Sequence, residues 1–293
     1  WEALDHKTVE GLVAGVGMPL KYRHVYWPRW LGVVDRQASA EARGESFSIW
    51  AISTLNPDVV TTIDQNCSAL QGQMQDLPGC DAAVRSVLWA LAAHRPAAIS
   101  TIGLGHMATI FFKLGFQAEE IFWLIVSILE DLLPGCHSPG LEGVFRDTAV
   151  AEILLRTFAT PHSLALSRSG LPLLRLSGDF LLTIGSRNAP LPLIARLWDL
   201  VFLHGPRGLF CGLLAYIELF LPIRETSLAS DAEQEELLAS YREAQARGSE
   251  EAVSTRLLHI LRSREGGVEA ELVAELRAAL GHSETAACET AET

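Results

Sequence analysis

The sequence has few cysteines, and none of them is arranged for a zinc site or a disulfide framework. Five occur in 293 residues, and no two stand in the Cys-x-x-Cys spacing of structural zinc ligands. They are Cys67, Cys80, Cys136, Cys211 and Cys288. An odd and scattered set is typical of free thiols in a reducing compartment. Cys136 precedes His137, but the sequence offers no second pair of ligands to complete a metal site, so we expect no metal. No motif indicates a cofactor.

Positive charge is also scarce. The formal net charge is −12, with 23 Lys and Arg against 35 Asp and Glu. Binding a nucleic acid requires clustered Lys and Arg, so the composition argues against such a partner. From Thr226 onward there are 14 acidic and 6 basic residues. This excess is typical of a solvated acidic face rather than of a site for a basic partner.

The chain lacks an uninterrupted apolar run long enough to suggest a membrane span. Its most apolar stretch, Met107–Leu133, is broken by Lys113, Gly115, Glu119 and Glu120. No segment resembling a signal peptide begins the sequence. We therefore expect a cytoplasmic protein that does not insert into membranes, with any association to membranes or the cytoskeleton made through a partner.

The sequence also lacks alternating strand patterns and Gly-rich phosphate loops, and its apolar residues recur with helical spacing. We therefore predict an all-α fold. One helix is apolar nearly all round, because only Arg196 and Asp199 interrupt the stretch Leu193–Leu203. Such helices lie inside a protein. Gly205 and Pro206 are predicted to end it.

Local signals predict the limits of several other elements. Asn56-Pro57-Asp58 combines a capping side chain, a proline at the first helical position and an acid in the first turn, so a helix is predicted from there to Cys67. The polar residues 35–46 are predicted to form a loop. Ser230 and Glu233 form a capping box.

Four motifs then occur in an order that resembles the TBC domain, the Rab GTPase-activating fold built from two helical lobes. They are Gly17–Pro19 with Arg23–Trp27, Glu119–Trp123, Phe180–Ile184 and Trp198–Gly205. The resemblance implies an all-α, two-lobed domain over residues 1–281, with lobes at about 1–140 and 141–281 and a flexible tail at 282–293. It also implies a Rab-type small GTPase or another protein as the partner, and a role in vesicle trafficking.

TBC domains act through two residues, the Arg of Ile-x-x-Asp-x-x-Arg-Thr and the Gln of Tyr-x-Gln-Gly. In this chain Asp64 and Gly103 match these motifs. Cys67, however, stands at the arginine position, while Ser100 and Ile102 replace the tyrosine and the glutamine. An arginine supplied to phosphoryl transfer is worth roughly 10³ to 10⁵ in rate. Cysteine has neither its charge nor its forked donors.

These substitutions favour a domain without GTPase-activating catalysis. We therefore expect no enzyme, but a module or scaffold that binds a small GTPase or another protein. Two alternatives stay open: an active Rab GTPase activator that uses other residues, and a structural subunit of a larger assembly. The nearest downstream arginine, Arg85, is predicted to lie inside the next helix. Four glutamines could orient water but bring no charge: Gln65, Gln71, Gln73 and Gln75.

The resemblance also predicts where a partner binds. The predicted groove contains Asp64, Cys67, Ile102, Gly105 and His106. Four other motif residues are predicted to be structural: Arg23, Trp27, Trp198 and Asp199.

Overall fold

The computed structural model describes residues 6–96, 98, 103–223, 230–262 and 268–291, with the backbone alone for residues 6 and 282–291. No strand occurs among these residues, and the predicted all-α fold is confirmed. The α-helices are α1 (His6–Val16), α2 (Leu20–Trp30), α3 (Val33–Ala42), α4 (Phe47–Ala51), α5 (Pro57–Met74), α6 (Cys80–His94), α7 (Gly103–Lys113), α8 (Ala118–Ser127), α9 (Glu142–Phe158), α10 (Thr160–Ser169), α11 (Leu174–Thr183), α12 (Leu191–Phe220), α13 (Asp231–Ala246), α14 (Glu250–Arg262) and α15 (Ala270–Ala291). A π-helical segment, Ile128–Leu132, follows α8.

The chain divides into two compact units. The first, here called the N unit, comprises Trp1–Leu141 and Leu182–Arg187. The second, the C unit, comprises Glu142–Leu181 and Asn188–Thr293. Each unit has its own buried apolar core, as expected for helices that carry one apolar stripe each.

Aromatic packing around α2 organises part of the N-unit core. Trp27 is fully buried. Its ring stacks on Phe116, with centroids 5.7 Å apart, and meets the edge of Phe111 at 6.0 Å. The Arg23 guanidinium lies 5.7 Å from the centre of the Trp27 ring, in the range of a cation–π contact. Trp27 therefore packs α2 on the aromatic core of the N unit, and Arg23 contacts its ring.

The loop predicted over residues 35–46 is wrong, because α3 occupies most of it. Val33 and Ala40 are buried on one face of this helix. Arg36 pairs with Glu130, and its guanidinium also donates to Asp131 over 2.8 Å. Arg36, one of the polar residues that suggested a loop, thus contacts the π-helical segment, and a single-sequence pattern does not contain this contact.

Helix α5 begins as predicted and runs further than predicted. The Asp58 backbone N–H donates to Asn56 Oδ1 over 2.9 Å, which satisfies one of the free donors of the first turn. The helix continues past Cys67 to Met74, because Leu70 and Met74 extend its buried stripe.

Helix α12 forms the centre of the C unit. Trp198 and Asp199 are both fully buried in it, and Arg196 is buried beside them in sequence. The predicted helix end at Gly205-Pro206 is instead a kink: Gly205 adopts φ 60° and ψ −142°, and the helix resumes to Phe220. Among the described residues, α12 alone is long and apolar enough to cross a membrane, but 72% of that apolar window is buried inside the protein.

The last three helices complete the C unit. The predicted capping box opens α13, with the Ser230 N–H donating to Glu233 over 3.0 Å and the Glu233 N–H donating back over 3.4 Å. Helix α14 packs along α12. The backbone of residues 282–291, expected to be a tail, continues α15. This stretch is rich in alanine, the best helix former.

Candidate functional site

The candidate site lies in the N unit, on the second half of α5. The buried stripe of α5 contains Ile63, Cys67 and Leu70, while Asp64 and Ser68 are exposed one residue further round. Residues three and four apart share a helix face, so this half of α5 presents a polar edge directly beside its buried stripe.

A pocket of about 670 Å³ opens along this edge. Helix α5, the loop after it and the first turns of α6 form its wall. Cys67, Gln71 and Gln75 line it from α5 and its C-terminal end. Asp81 and Arg85 line it from α6. Among the lining residues that the structure describes, Arg85 carries the one positive charge.

Cys67 is a buried thiol in this wall. Its exposed fraction is 2%. Burial raises the pKa of the Cys67 thiol above its ordinary value, and the positive charge of Arg85 offsets part of that rise. A thiol of this kind is mostly protonated near neutral pH and is a weak nucleophile. Cys67 therefore lines the site without supplying charge to it.

Arg85, which lines the pocket, forms an ion pair with Asp64 of α5. Arg85 Nη1 donates to Asp64 Oδ1 across the gap between α6 and α5. This hydrogen bond raises the pKa of Arg85. The side chains are 39% and 54% exposed, respectively. Exposed pairs of this kind are worth only about 0.2–1 kcal/mol, so the guanidinium can leave Asp64 at little cost.

Two of the four glutamines noted in the sequence, Gln71 and Gln75, reach the pocket wall. An amide side chain offers both a donor and an acceptor, which is what holding a water molecule requires. Gln65 and Gln73 are exposed on α5 and are not among the residues of the wall.

The second motif is described only in part. Ser100 and Ile102 lie outside the described residues. Gly103 begins α7 and packs so closely on Leu182 that an added Cβ would lie 2.2 Å from the Leu182 carbonyl oxygen. Gly105 faces α5, since a Cβ there would lie 2.5 Å from a methyl carbon of Leu70. His106 is buried. These three residues thus lie in packed positions and not on an open surface.

The structure therefore brings some of the expected groove residues together. Asp64 and Cys67 lie one helical turn apart on α5, the first on its polar edge and the second in the buried stripe beside it, and Gly105 packs against the same helix. Arg85 is the functional candidate that sequence reasoning placed away from the site. It lies 21 residues after Asp64, and only the packing of α6 on α5 brings the two together.

Among the described residues, no group of three or more His, Cys, Asp or Glu side chains could hold a metal ion. Cys67, Cys80, Cys136 and Cys211 are all buried.

The fold and the site define the class of protein as an all-α domain with a polar pocket whose wall carries a guanidinium. The comparison with known proteins makes the class specific, because the model of the Rab-GTPase-TBC domain family matches residues 20–223. The chain therefore belongs to the Rab-GTPase-TBC domain family, as the motifs predicted.

Relatives and solved structures agree with this assignment. Small G protein signaling modulator 3 of Homo sapiens is 27% identical over 212 residues, which is 69% of this chain and 28% of that protein. Carabin of Mus musculus is 33% identical over 125 residues, 42% of this chain and 28% of that protein. The chain thus matches less than a third of the length of these curated relatives.

Two solved structures share the fold. The Chlamydomonas flagellar RabGAP TBC domain superposes with a TM-score of 0.69 at 20% identity, covering 87% of this chain and 84% of that one. The Ypt/Rab-GAP domain of Gyp1p gives a TM-score of 0.66 at 12% identity, covering 87% and 91%.

The prediction that this chain is not an enzyme is wrong. The family to which it belongs consists of GTPase activators, and both structural counterparts are Rab-GAP domains. That prediction rested on the loss of the arginine at position 67 and of the glutamine at position 102. Arg85 lies in the pocket wall that Cys67 also lines, so the pocket does not lack a cation, whereas Ile102 lies outside the described residues.

Proposed function

We propose that this chain binds a Rab-type small GTPase in its GTP-bound form and accelerates the hydrolysis of the bound GTP. The family supports a small GTPase as the partner. The observation that carries the proposal is the polar pocket on α5 and α6, which is lined by both the residue at the family's arginine position, Cys67, and a basic side chain.

Phosphoryl transfer to water needs few chemical groups from the activator. The transition state spreads negative charge over the γ-phosphate oxygens, so catalysis depends on positive charge and on an oriented water molecule. The pocket offers a guanidinium and two amide side chains for these tasks. The net charge of −12 does not oppose binding, because the partner contributes its own surface around the nucleotide.

Single-turnover hydrolysis with a panel of GTP-loaded Rab GTPases tests the proposal. We expect at least one member to hydrolyse GTP more than about tenfold faster in the presence of this chain, since activators of this kind reach far larger factors. Binding of each GTPase in its GTP-analogue and GDP forms is measured in parallel. A panel in which no GTPase is accelerated would reject the proposed function, whether or not any member binds.

The cellular setting remains part of this proposal. A protein that acts on Rab-type GTPases would work in the cytoplasm and reach membranes through its GTPase partner. Co-localisation with the GTPase identified in the panel, and its loss when that GTPase is depleted, would test this.

A further inference from the structure

We infer that Arg85 of α6 is the catalytic cation of this domain and takes over the task of the arginine that is absent at position 67. The inference rests on the proposed function and identifies the residue through which it is carried out. It depends on the ion pair between Arg85 and Asp64, on their exposure and on the composition of the pocket wall.

Arg85 is placed for the task and available for it. Its guanidinium lies at the rim of the pocket, and 39% of the side chain is exposed. Among the described residues, Asp64 alone accepts a hydrogen bond from it. The remaining N–H groups of the guanidinium can therefore meet an incoming acceptor, and a phosphate accepts two parallel hydrogen bonds from one arginine.

Asp64 acts as a holder for Arg85. Its carboxylate is more exposed than the guanidinium, so water weakens the pair. This weak ion pair can both hold Arg85 and release it. The pair keeps the Arg85 side chain at the rim when no GTPase is bound, and it releases the guanidinium to an acceptor of higher negative charge. Asp64 is thus a positioning residue.

The other groups of the pocket wall cannot supply positive charge. Asp81 is acidic, Gln71 and Gln75 are neutral, and the buried Cys67 thiol carries none when protonated. In the reaction, water attacks the γ-phosphorus while the bond from that phosphorus to the β-phosphate oxygen breaks, giving GDP, inorganic phosphate and a proton. Arg85 would offset part of the negative charge that develops on the γ-phosphate during this step, and would itself be chemically unchanged at its end.

The test compares Arg85→Ala with Arg43→Ala in single-turnover hydrolysis on a GTPase that the native chain accelerates. Arg43 is a matched control, since it lies in the N unit and forms an exposed pair with Glu45 away from this pocket. We expect Arg85→Ala to lose about 10²-fold or more of the acceleration, the range for a supplied arginine. Arg43→Ala keeps it.

Binding separates a catalytic role from a structural one. Affinity for the GTPase loaded with a non-hydrolysable GTP analogue should stay within about threefold in Arg85→Ala, whereas complex formation with the GDP–aluminium fluoride form, which mimics the transferring phosphoryl group, should be lost. Arg85→Lys keeps charge without the fork and should retain part of the rate. If the alanine variant does not fold, Arg85→Gln, which keeps a long polar side chain, takes its place.

Three results would decide against the inference. Acceleration by Arg85→Ala within about threefold of the native rate would show that the charge comes from elsewhere. Equal losses in affinity and in rate would assign Arg85 to docking alone. An equal loss in Arg43→Ala would show a general charge effect. None of these results contradicts the proposed function, which fails if the native chain itself accelerates no GTPase of the panel.

Discussion

At the scale of single residues, the pocket on α5 and α6 divides two properties between two residues. An arginine at position 67 would supply both the position on α5 and the positive charge. Position 67 itself is buried and belongs to the packing of α5. The charge comes from Arg85 on the neighbouring helix, held by Asp64 at the rim. Cysteine at position 67 is small and uncharged, so it leaves room in the wall and does not repel the Arg85 guanidinium.

The reactivity of Cys67 reports directly on this arrangement. Burial raises the pKa of the Cys67 thiol, and Arg85 opposes that rise. Only the thiolate is alkylated readily, so we expect slow reaction of Cys67 with iodoacetamide near neutral pH and an increase only at a pH above the ordinary pKa of a thiol. Peptide-resolved mass spectrometry over a pH series gives the midpoint.

Removing the charge of Arg85 should move that midpoint in a known direction. In Arg85→Gln the thiolate loses a stabilising cation, so the pKa of Cys67 rises and alkylation at a fixed pH slows by up to about tenfold for each pKa unit. Arg43→Gln should leave the midpoint unchanged. An unshifted midpoint in Arg85→Gln would mean that the guanidinium does not act on the Cys67 side of the pocket.

At the scale of elements, local sequence signals correctly predicted helix starts and caps, which depend on neighbouring residues alone. The start of α5 at Asn56-Pro57 and the capping box of α13 depend on a few neighbouring residues, and both occur as predicted. Helix α3 was missed because Arg36 reaches residues more than 90 positions away. The pairing of Arg85 with Asp64 likewise requires two helices to pack. Long-range contacts decided both cases, and a single sequence does not display them.

Gly103 shows how closely α7 is seated in the N unit. A Cβ at this position would lie 2.2 Å from the Leu182 carbonyl oxygen, which is backbone and cannot turn aside. We expect Gly103→Ala to lower the free energy of unfolding by about 1–3 kcal/mol, as overpacking does in well-packed cores. Urea denaturation followed by circular dichroism measures the change.

Gly72 of α5 is the matched control for this substitution. It is exposed, and nothing lies within 4 Å of an added Cβ. Alanine in a helix interior is better than glycine by roughly 0.5–1 kcal/mol, so Gly72→Ala should be neutral or stabilising. If Gly103→Ala behaved like Gly72→Ala, the glycine would not be required by the contact with Leu182.

At the scale of the whole molecule, the folded C unit extends beyond the last residue of the family match. The family model stops at residue 223, but the C unit continues through α13, α14 and α15. The fully buried carboxylate of Asp147 on α9 accepts from Arg146 over 2.9 Å and from Arg277 of α15 over 2.5 Å. Glu218 of α12 pairs with Arg256 of α14 through two hydrogen bonds of 2.5 and 2.6 Å.

A chain cut after residue 223 should therefore not keep the stability of the full domain. It would expose the α12 surface that α14 covers and leave the buried Asp147 without Arg277, and removing one partner of a buried charge pair alone costs about 3–5 kcal/mol. We expect the fragment 1–223 to unfold at a markedly lower temperature, or to lack a cooperative transition, in circular dichroism.

The fragment 1–281, which retains every helix contact named here, should melt like the full chain. Arg277→Ala should lie between the two, since it removes the charge pair and keeps the apolar cover. Equal melting temperatures for 1–223 and 1–281 would mean that the C-terminal helices are an addition to the domain rather than part of its core.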